Sequence, residues 1–182
     1  TPLTCFSALT PIVEAGFNPS FVDIREDNFL MKESLVEHNI NNNTAAIQVI
    51  HLGGLMPDME TLLNIANQYR LYVIEDCAQG FGAKYKNKNC GTFGDISCFS
   101  LSKNLFGIGG GVFLTNNYQL YLSAKILQET FDQNSLKLSF YRIIRNYIET
   151  HRRKLVFNFL VKILFSTRNN LPNINQRNEK EN

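Results

Sequence analysis

The chain has no tryptophan, and its 182 residues include only four cysteines and three histidines. The cysteines, at positions 5, 77, 90 and 98, form no CxxC pair and no dense framework. Neither a zinc site nor a disulfide scaffold is suggested, and a reducing, cytoplasmic compartment is expected. His38 and His51 lack metal-ligand spacing, and nothing resembles HExxH. No run approaches the ~20 apolar residues of a membrane-spanning helix. The opening TPLTCFSALTPIVEAG lacks the basic start and apolar core of a secretion signal. Two common nucleotide loops are also missing: there is no GxxxxGK[ST], and GFG at 80–82 fails the GxGxxG spacing. The chain begins without methionine, inside what reads as continuing structure, so an incomplete N-terminus is expected.

What is present is apolar mass for one domain: 44% hydrophobic residues, fourteen of the side chains being Phe. The formal charge of +2 divides unevenly, with seven Lys/Arg against eleven Asp/Glu in 1–117 and eleven against five in 118–182. Such a division marks either a solvated helix face or a basic arm for an anionic partner. The first two-thirds alternates strand and helix patterns. Residues 19–24 (PSFVDI), 44–52 (TAAIQVIHL), 71–76 (LYVIED), 96–100 (ISCFS) and 110–116 (GGVFLTN) read as strands. Residues 31–40 and 57–70 read as amphipathic helices, the second with Met59, Leu62, Leu63 and Ala66 on one face. This order predicts a layered α/β fold with a mostly parallel sheet, buried on both sides by flanking helices. KYKNKNCGTFGD (84–95) reads as an exposed connection.

From Tyr118 the pattern becomes helical. Residues 138–165 are aromatic and basic, with their last eleven, LVFNFLVKILF, apolar enough to need cover from protein or from a membrane interface. The aromatics sit inside apolar runs rather than interleaved over a groove, so no nucleic-acid partner is expected. The polar tail after 168 reads as disordered.

Candidate chemistry gathers at strand ends. Asp76 closes LYVIED, at the sheet edge where open α/β folds present functional groups, and Gln79 follows within one turn. A carboxylate there can keep a heteroaromatic nitrogen protonated. Glu75 and Asp76 as a joint acid/base or Mg2+ pair is disfavoured, because adjacent strand residues face opposite ways. Lys103 follows Ser100 and Ser102 and precedes glycines 107, 109, 110 and 111, a setting in which an amine can meet a carbonyl carbon and backbone can approach a phosphate. His51 ends the strand before it and can reach a ligand at the same edge. Read alone, each has an ordinary alternative: a helix cap for Asp76, a solvated lysine for Lys103, a structural histidine for His51.

Taken in order, PIVEAGFNPSFVDI, AAIQVIHLGGLMPDMETLLNIA, LYVIEDCAQGFGAKYKNKNCGTFGDISCFS and SKNLFGIGGGVFLTNN resemble the DegT/DnrJ/EryC1/StrS family of pyridoxal phosphate-dependent sugar aminotransferases over roughly residues 4–117. The resemblance implies the large domain of the aspartate-aminotransferase-like fold type I, here as a fragment: 1–117 a partial cofactor-binding domain, 118–168 a basic helical segment, 169–182 a tail. It implies that Lys103 carries pyridoxal 5′-phosphate, that Asp76 pairs with its pyridine nitrogen, that Gln79 contacts the ring-hydroxyl side, and that Ser100 or Ser102 meets the phosphate. His51 belongs to the same cofactor-binding set. The implied reaction moves an amino group from glutamate to a ketosugar, usually nucleotide-linked.

Two departures accompany the resemblance. The family's serine and lysine stand five positions apart in SFxxxKN, whereas Ser100 and Lys103 are separated by three, which displaces the amine by several ångströms unless the loop is rebuilt. Cys77 also replaces a common alanine. The resemblance further implies an N-terminal phosphate-binding turn and a closing C-terminal domain, not visible in this chain, and a homodimer or complementary chain that completes each site. The alternative expectation is an inactive remnant serving as a platform for protein or peripheral membrane contact through 138–165.

Overall fold

The computed structural model describes residues 1–103 and 110–130. These lie in the first of two compact units, Thr1–Gln133; the second, Asn134–Asn182, falls outside the described residues. So do the readings made for Gly107, Gly109, the 138–165 helix and the tail.

The first element is α1 (Phe6–Glu14), which carries Pro11 and buries only Ala8. Residues 19–24 do not form the expected strand. Pro19 offers no N–H, and only Ile24 pairs, in an isolated antiparallel bridge to Met31. Asp27 and Asn28 reverse the chain between them, and Phe29 sits at φ 62°. The helix expected at 31–40 is likewise replaced by two short 3-10 turns, Glu33–Leu35 and Glu37–Asn39. Met31 is held extended by its bridge, and the asparagines from 39 onward favour turns over helix.

The central layer follows the sequence pattern closely. Strand β1 (Ala46–Ile50) leads through a turn to α2 (Met59–Tyr69) and back to β2 (Tyr72–Asp76). Asp58 caps α2 by accepting from Thr61 N–H at 3.3 Å and Thr61 Oγ1 at 2.9 Å. Pro57 precedes the cap. Arg70, left-handed at φ 54°, ends the helix. Met59, Leu62, Ile65 and Ala66 are buried against Ile47, Val49 and Val73 of the sheet, with Val22, Met31 and Val36 completing the core. Burying this face removes apolar surface from water at a gain of about 25 cal/mol per Å2.

Residues 84–95 depart from a simple solvated loop. Strands β3 (Lys84–Tyr85) and β4 (Lys88–Asn89) pair as a hairpin whose turn, Lys86 and Asn87, has positive φ at both positions, as tight hairpins require. Beyond it Cys90 and Gly91 are buried. Strand β5 (Ile96–Ser100) then joins β2 in parallel, and β6 (Gly111–Leu114) joins β5 antiparallel, giving the order β1-β2-β5-β6. Helix α3 (Tyr118–Thr130) follows. Burial on both faces is not observed: Ile47, Val49, Val73 and Glu75 are buried, while Gln48, Ile50, Ile74 and Asp76 on the other face are half-buried. That more open face, at the carboxyl ends of the parallel strands, is where the site forms.

Candidate functional site

A cavity of about 230 Å3 lies at the ends of β1 and β2, with Thr4, Cys5, Asp76, Gln79 and Lys103 among its lining residues. Asp76 is the last residue of β2, and its Oδ1 accepts the Ala78 N–H at 3.0 Å, a short turn that orients the carboxylate. Gln79 is held from the β1 side. Its Oε1 accepts the Gly53 N–H at 2.8 Å, and Gly53 adopts φ 62° to present that group. Lys103 reaches the cavity from the turn after β5, so a carboxylate, an amide and an amine from different segments face one space.

Ser100 and Ser102 are not brought to the cavity lining. Their hydroxyls bond each other at 3.1 Å, and Ser102 N–H also leans on Ser100 Oγ at 3.4 Å. His51 lies at the inner wall but its side chain is 0% exposed, with Nε2 donating to Glu75 Oε2 at 3.0 Å. The ring thus forms part of the cavity wall while its Nε2 is engaged by Glu75.

Glu75 is the organising group that sequence reasoning passed over. It is fully buried and accepts from five donors: His51 Nε2 and Gly91 N–H on Oε2, and Phe93 N–H, Gly94 N–H and Ser97 Oγ on Oε1. Burial opposes its charge, yet the His51 bond and the amides of Gly94, Gly91 and Phe93 outweigh that and bring the carboxyl down to about 2. For His51, burial again works against the charged form, and the neighbouring Cys90 sulfur and Glu75 carboxylate overcome it, raising the imidazole to about 9. Gly91 makes this geometry available. It sits at φ +84°, and a Cβ there would lie 2.4 Å from the Phe99 ring.

Cys77 and Cys90 complete the buried cluster, the ligand-type atoms of His51, Glu75, Cys77 and Cys90 lying within 4.8 Å of one another. The Cys77 thiol pulls Cys90 down to about 6 and is itself pushed up by the same neighbour. Positions 51, 75, 77 and 90 have no ligand-like spacing, so only folding reveals the group. The N-terminal contribution of Thr4 and Cys5 was also missed; Cys5 is exposed, and its thiol is lowered chiefly by a 2.9 Å hydrogen bond with Ser7.

Comparison with known proteins agrees with this arrangement. The model of the DegT/DnrJ/EryC1/StrS aminotransferase family matches residues 1–138. GDP-perosamine synthase of Escherichia coli O157:H7 is 43% identical over 121 residues, 65% of this chain and 33% of that protein. Among solved structures, the aminotransferase from Psychrobacter cryohalolentis is 32% identical with a TM-score of 0.60, covering 65% of this chain and 31% of that one. S. venezuelae DesV in complex with a ketimine intermediate is 30% identical with a TM-score of 0.65, covering 73% and 37%. The chain thus spans about a third of the length of the curated relatives it matches, and its α/β layer is part of the fold type I large domain of pyridoxal phosphate-dependent sugar aminotransferases. With its family match covering most of the sequence and its strands in the matching fold, the chain belongs to the DegT/DnrJ/EryC1/StrS aminotransferase family.

Proposed function

We propose that this chain binds pyridoxal 5′-phosphate in the cavity at the ends of β1 and β2 and contributes the reacting lysine to amino transfer from glutamate to a nucleotide-linked ketosugar. The observation that carries the reading is that Asp76, Gln79 and Lys103 line one space. Their chemistry fits the cofactor, which when bound supplies an electron sink for charge developing at the substrate carbon. Asp76 pairs its carboxylate with the ring nitrogen and holds a proton there. Gln79, its acceptor end fixed by Gly53, offers its amide nitrogen to the ring oxygen. Lys103 Nζ holds the cofactor and, once displaced, takes and returns the proton at the substrate carbon. The mutual hydrogen bond of Ser100 and Ser102 uses one hydroxyl proton, and the accepting serine keeps an O–H to offer the phosphate.

The cavity is smaller than the ~300 Å3 at which pockets for drug-sized ligands begin. A second copy or a complementary chain therefore supplies part of the enclosure in this reading. The nucleotide-sugar assignment rests on relatives such as GDP-perosamine synthase.

The test is to incubate the full chain with pyridoxal phosphate, reduce with borohydride and map the modified peptide by mass spectrometry. Label confined to Lys103, and lost in Lys103→Ala, is the expected result. Label scattered over exposed lysines of a folded sample would sink the proposal and favour the non-catalytic interaction platform.

A further inference from the structure

Behind the cavity, the His51–Glu75–Cys77–Cys90 cluster is not used by the proposed chemistry. All four side chains are buried, with His51, Glu75 and Cys77 at 0% exposure and Cys90 at 6%. Cysteines in such a place are ordinarily small apolar fillers. One observation separates this cluster from filler: His51 Nδ1 is buried without a hydrogen-bond partner among the described residues. An unsatisfied buried polar atom costs roughly 1–3 kcal/mol, and ordinary packing gives nothing back for it.

The bond from His51 Nε2 to Glu75 settles the ring's other end. With Nε2–H donated to a carboxylate, Nδ1 is the nitrogen left for an ion once it gives up its proton, and an imidazole oriented in this manner is the usual form of a metal-ligating histidine. Glu75 already accepts five hydrogen bonds, so it suits the orienting role better than a ligand's. The remaining donors are two sulfurs and one nitrogen, a soft set that selects thiophilic ions over Mg2+ or Ca2+. Gly80 allows the close packing: a Cβ there would lie 2.7 Å from Cys90 Sγ and 3.1 Å from His51 Cβ.

We propose that His51 Nδ1, Cys77 Sγ and Cys90 Sγ form a buried site for one thiophilic d10 metal ion, with Zn2+ as the probe and Glu75 as the carboxylate that orients His51. Zinc bonds of ~2.0–2.3 Å place neighbouring donors about 3.5 Å apart. The cluster's 4.8 Å limit therefore closes by roughly 1 Å through side-chain rotation. On binding, His51 Nδ1 and each sulfur that still carries a proton release it to solvent, and each of the three donors gives a lone pair to the ion. Two thiolates and Zn2+ then sum to zero charge, which removes the penalty of burying any one of them. Because every donor is buried, the ion enters during folding or local opening. The inference is independent of whether the cavity holds pyridoxal phosphate.

The experiment refolds the reduced 182-residue chain, with Cys5→Ser and Cys98→Ser to remove the exposed thiols, in Zn2+ and then in Co2+. Native mass spectrometry should count one Zn2+ per chain, and Co2+ should show thiolate charge-transfer absorption of two sulfurs. Adding Cys77→Ala and Cys90→Ala should reduce retained metal from one equivalent to none, with circular dichroism reporting that the chain still folds. Failure of the folded parent to retain metal overturns the proposal. So does unchanged binding by the alanine variant, a Co2+ spectrum without thiolate absorption, or a Cys77–Cys90 disulfide forming in place of metal uptake. If the alanine variant does not fold, the Co2+ spectrum of the parent decides the matter alone.

Discussion

The region beneath the end of β2 and the region above it are built on opposite terms, although their carboxylates stand on adjacent residues. Below, Glu75 is sealed from solvent and accepts five hydrogen bonds, three from the backbone of a single loop. Above, Asp76 is half-buried, its Oδ1 oriented by the Ala78 N–H at the edge of an open cavity. A charge surrounded by donors contributes to folding and is unavailable for chemistry. A charge held in position at a cavity wall contributes little to folding and can meet a ligand. The alternation of strand side chains places these two carboxylates on different faces, and their partners give them different work.

The largest expected effect comes from breaking the lower region. Glu75→Gln places an amide NH2 against groups that are themselves donors, and a loss of about 3 kcal/mol or more in urea unfolding is expected. Asp76→Asn should change stability by less than about 1 kcal/mol while weakening pyridoxal phosphate binding, read by titration of cofactor absorbance. Equal destabilisation by the two variants would erase the contrast. Gly91→Ala tests the loop that carries the amides. With φ at +84° and a Cβ driven into Phe99, a loss of about 2 kcal/mol is expected, and a thermal midpoint unchanged from the parent would contradict it.

The smallest effect sharpens the comparison at a second, exposed carboxylate. Asp58 is lowered first by the 2.6 Å hydrogen bond from Tyr85 and then by its capping bonds to Thr61. Its contribution is therefore present above the unfolded value of ~3.9 and is lost as pH falls through the lower folded value. Asp58→Ala should cost about 1 kcal/mol at neutral pH. Urea midpoints measured between pH 6 and 2 should converge for parent and variant at the acid end, and a constant gap would refute the assignment.

Much of the fold was legible because its signals are local. The β-branched runs of β1, β2, β5 and β6 and the capped, amphipathic α2 carry their periodicity in consecutive residues. The misread segments, 19–24 and 31–40, carry apolar patterns too short to specify an element by themselves. Their form follows from the Ile24–Met31 bridge and from Glu33, whose carboxylate accepts the Asp58 N–H at 2.8 Å. Ile65 was missed on the buried face of α2 and Leu63, which is only half-buried, stood in its place. The helical arc facing a sheet is wider than a strict stripe.

Sequence alone determined the strand–helix alternation, the family and the candidates Asp76, Gln79 and Lys103, since strand ends and motif order are properties of contiguous residues. Tertiary structure decided that Ser100 and Ser102 bond each other away from the cavity lining and that His51 turns inward to Glu75. It also decided that Cys77, Cys90 and the amides of residues 91–94 converge on the same buried point. Those outcomes depend on where loops return to the sheet. The satisfaction of buried polar groups by residues distant in sequence governs that return, and no local pattern encodes it.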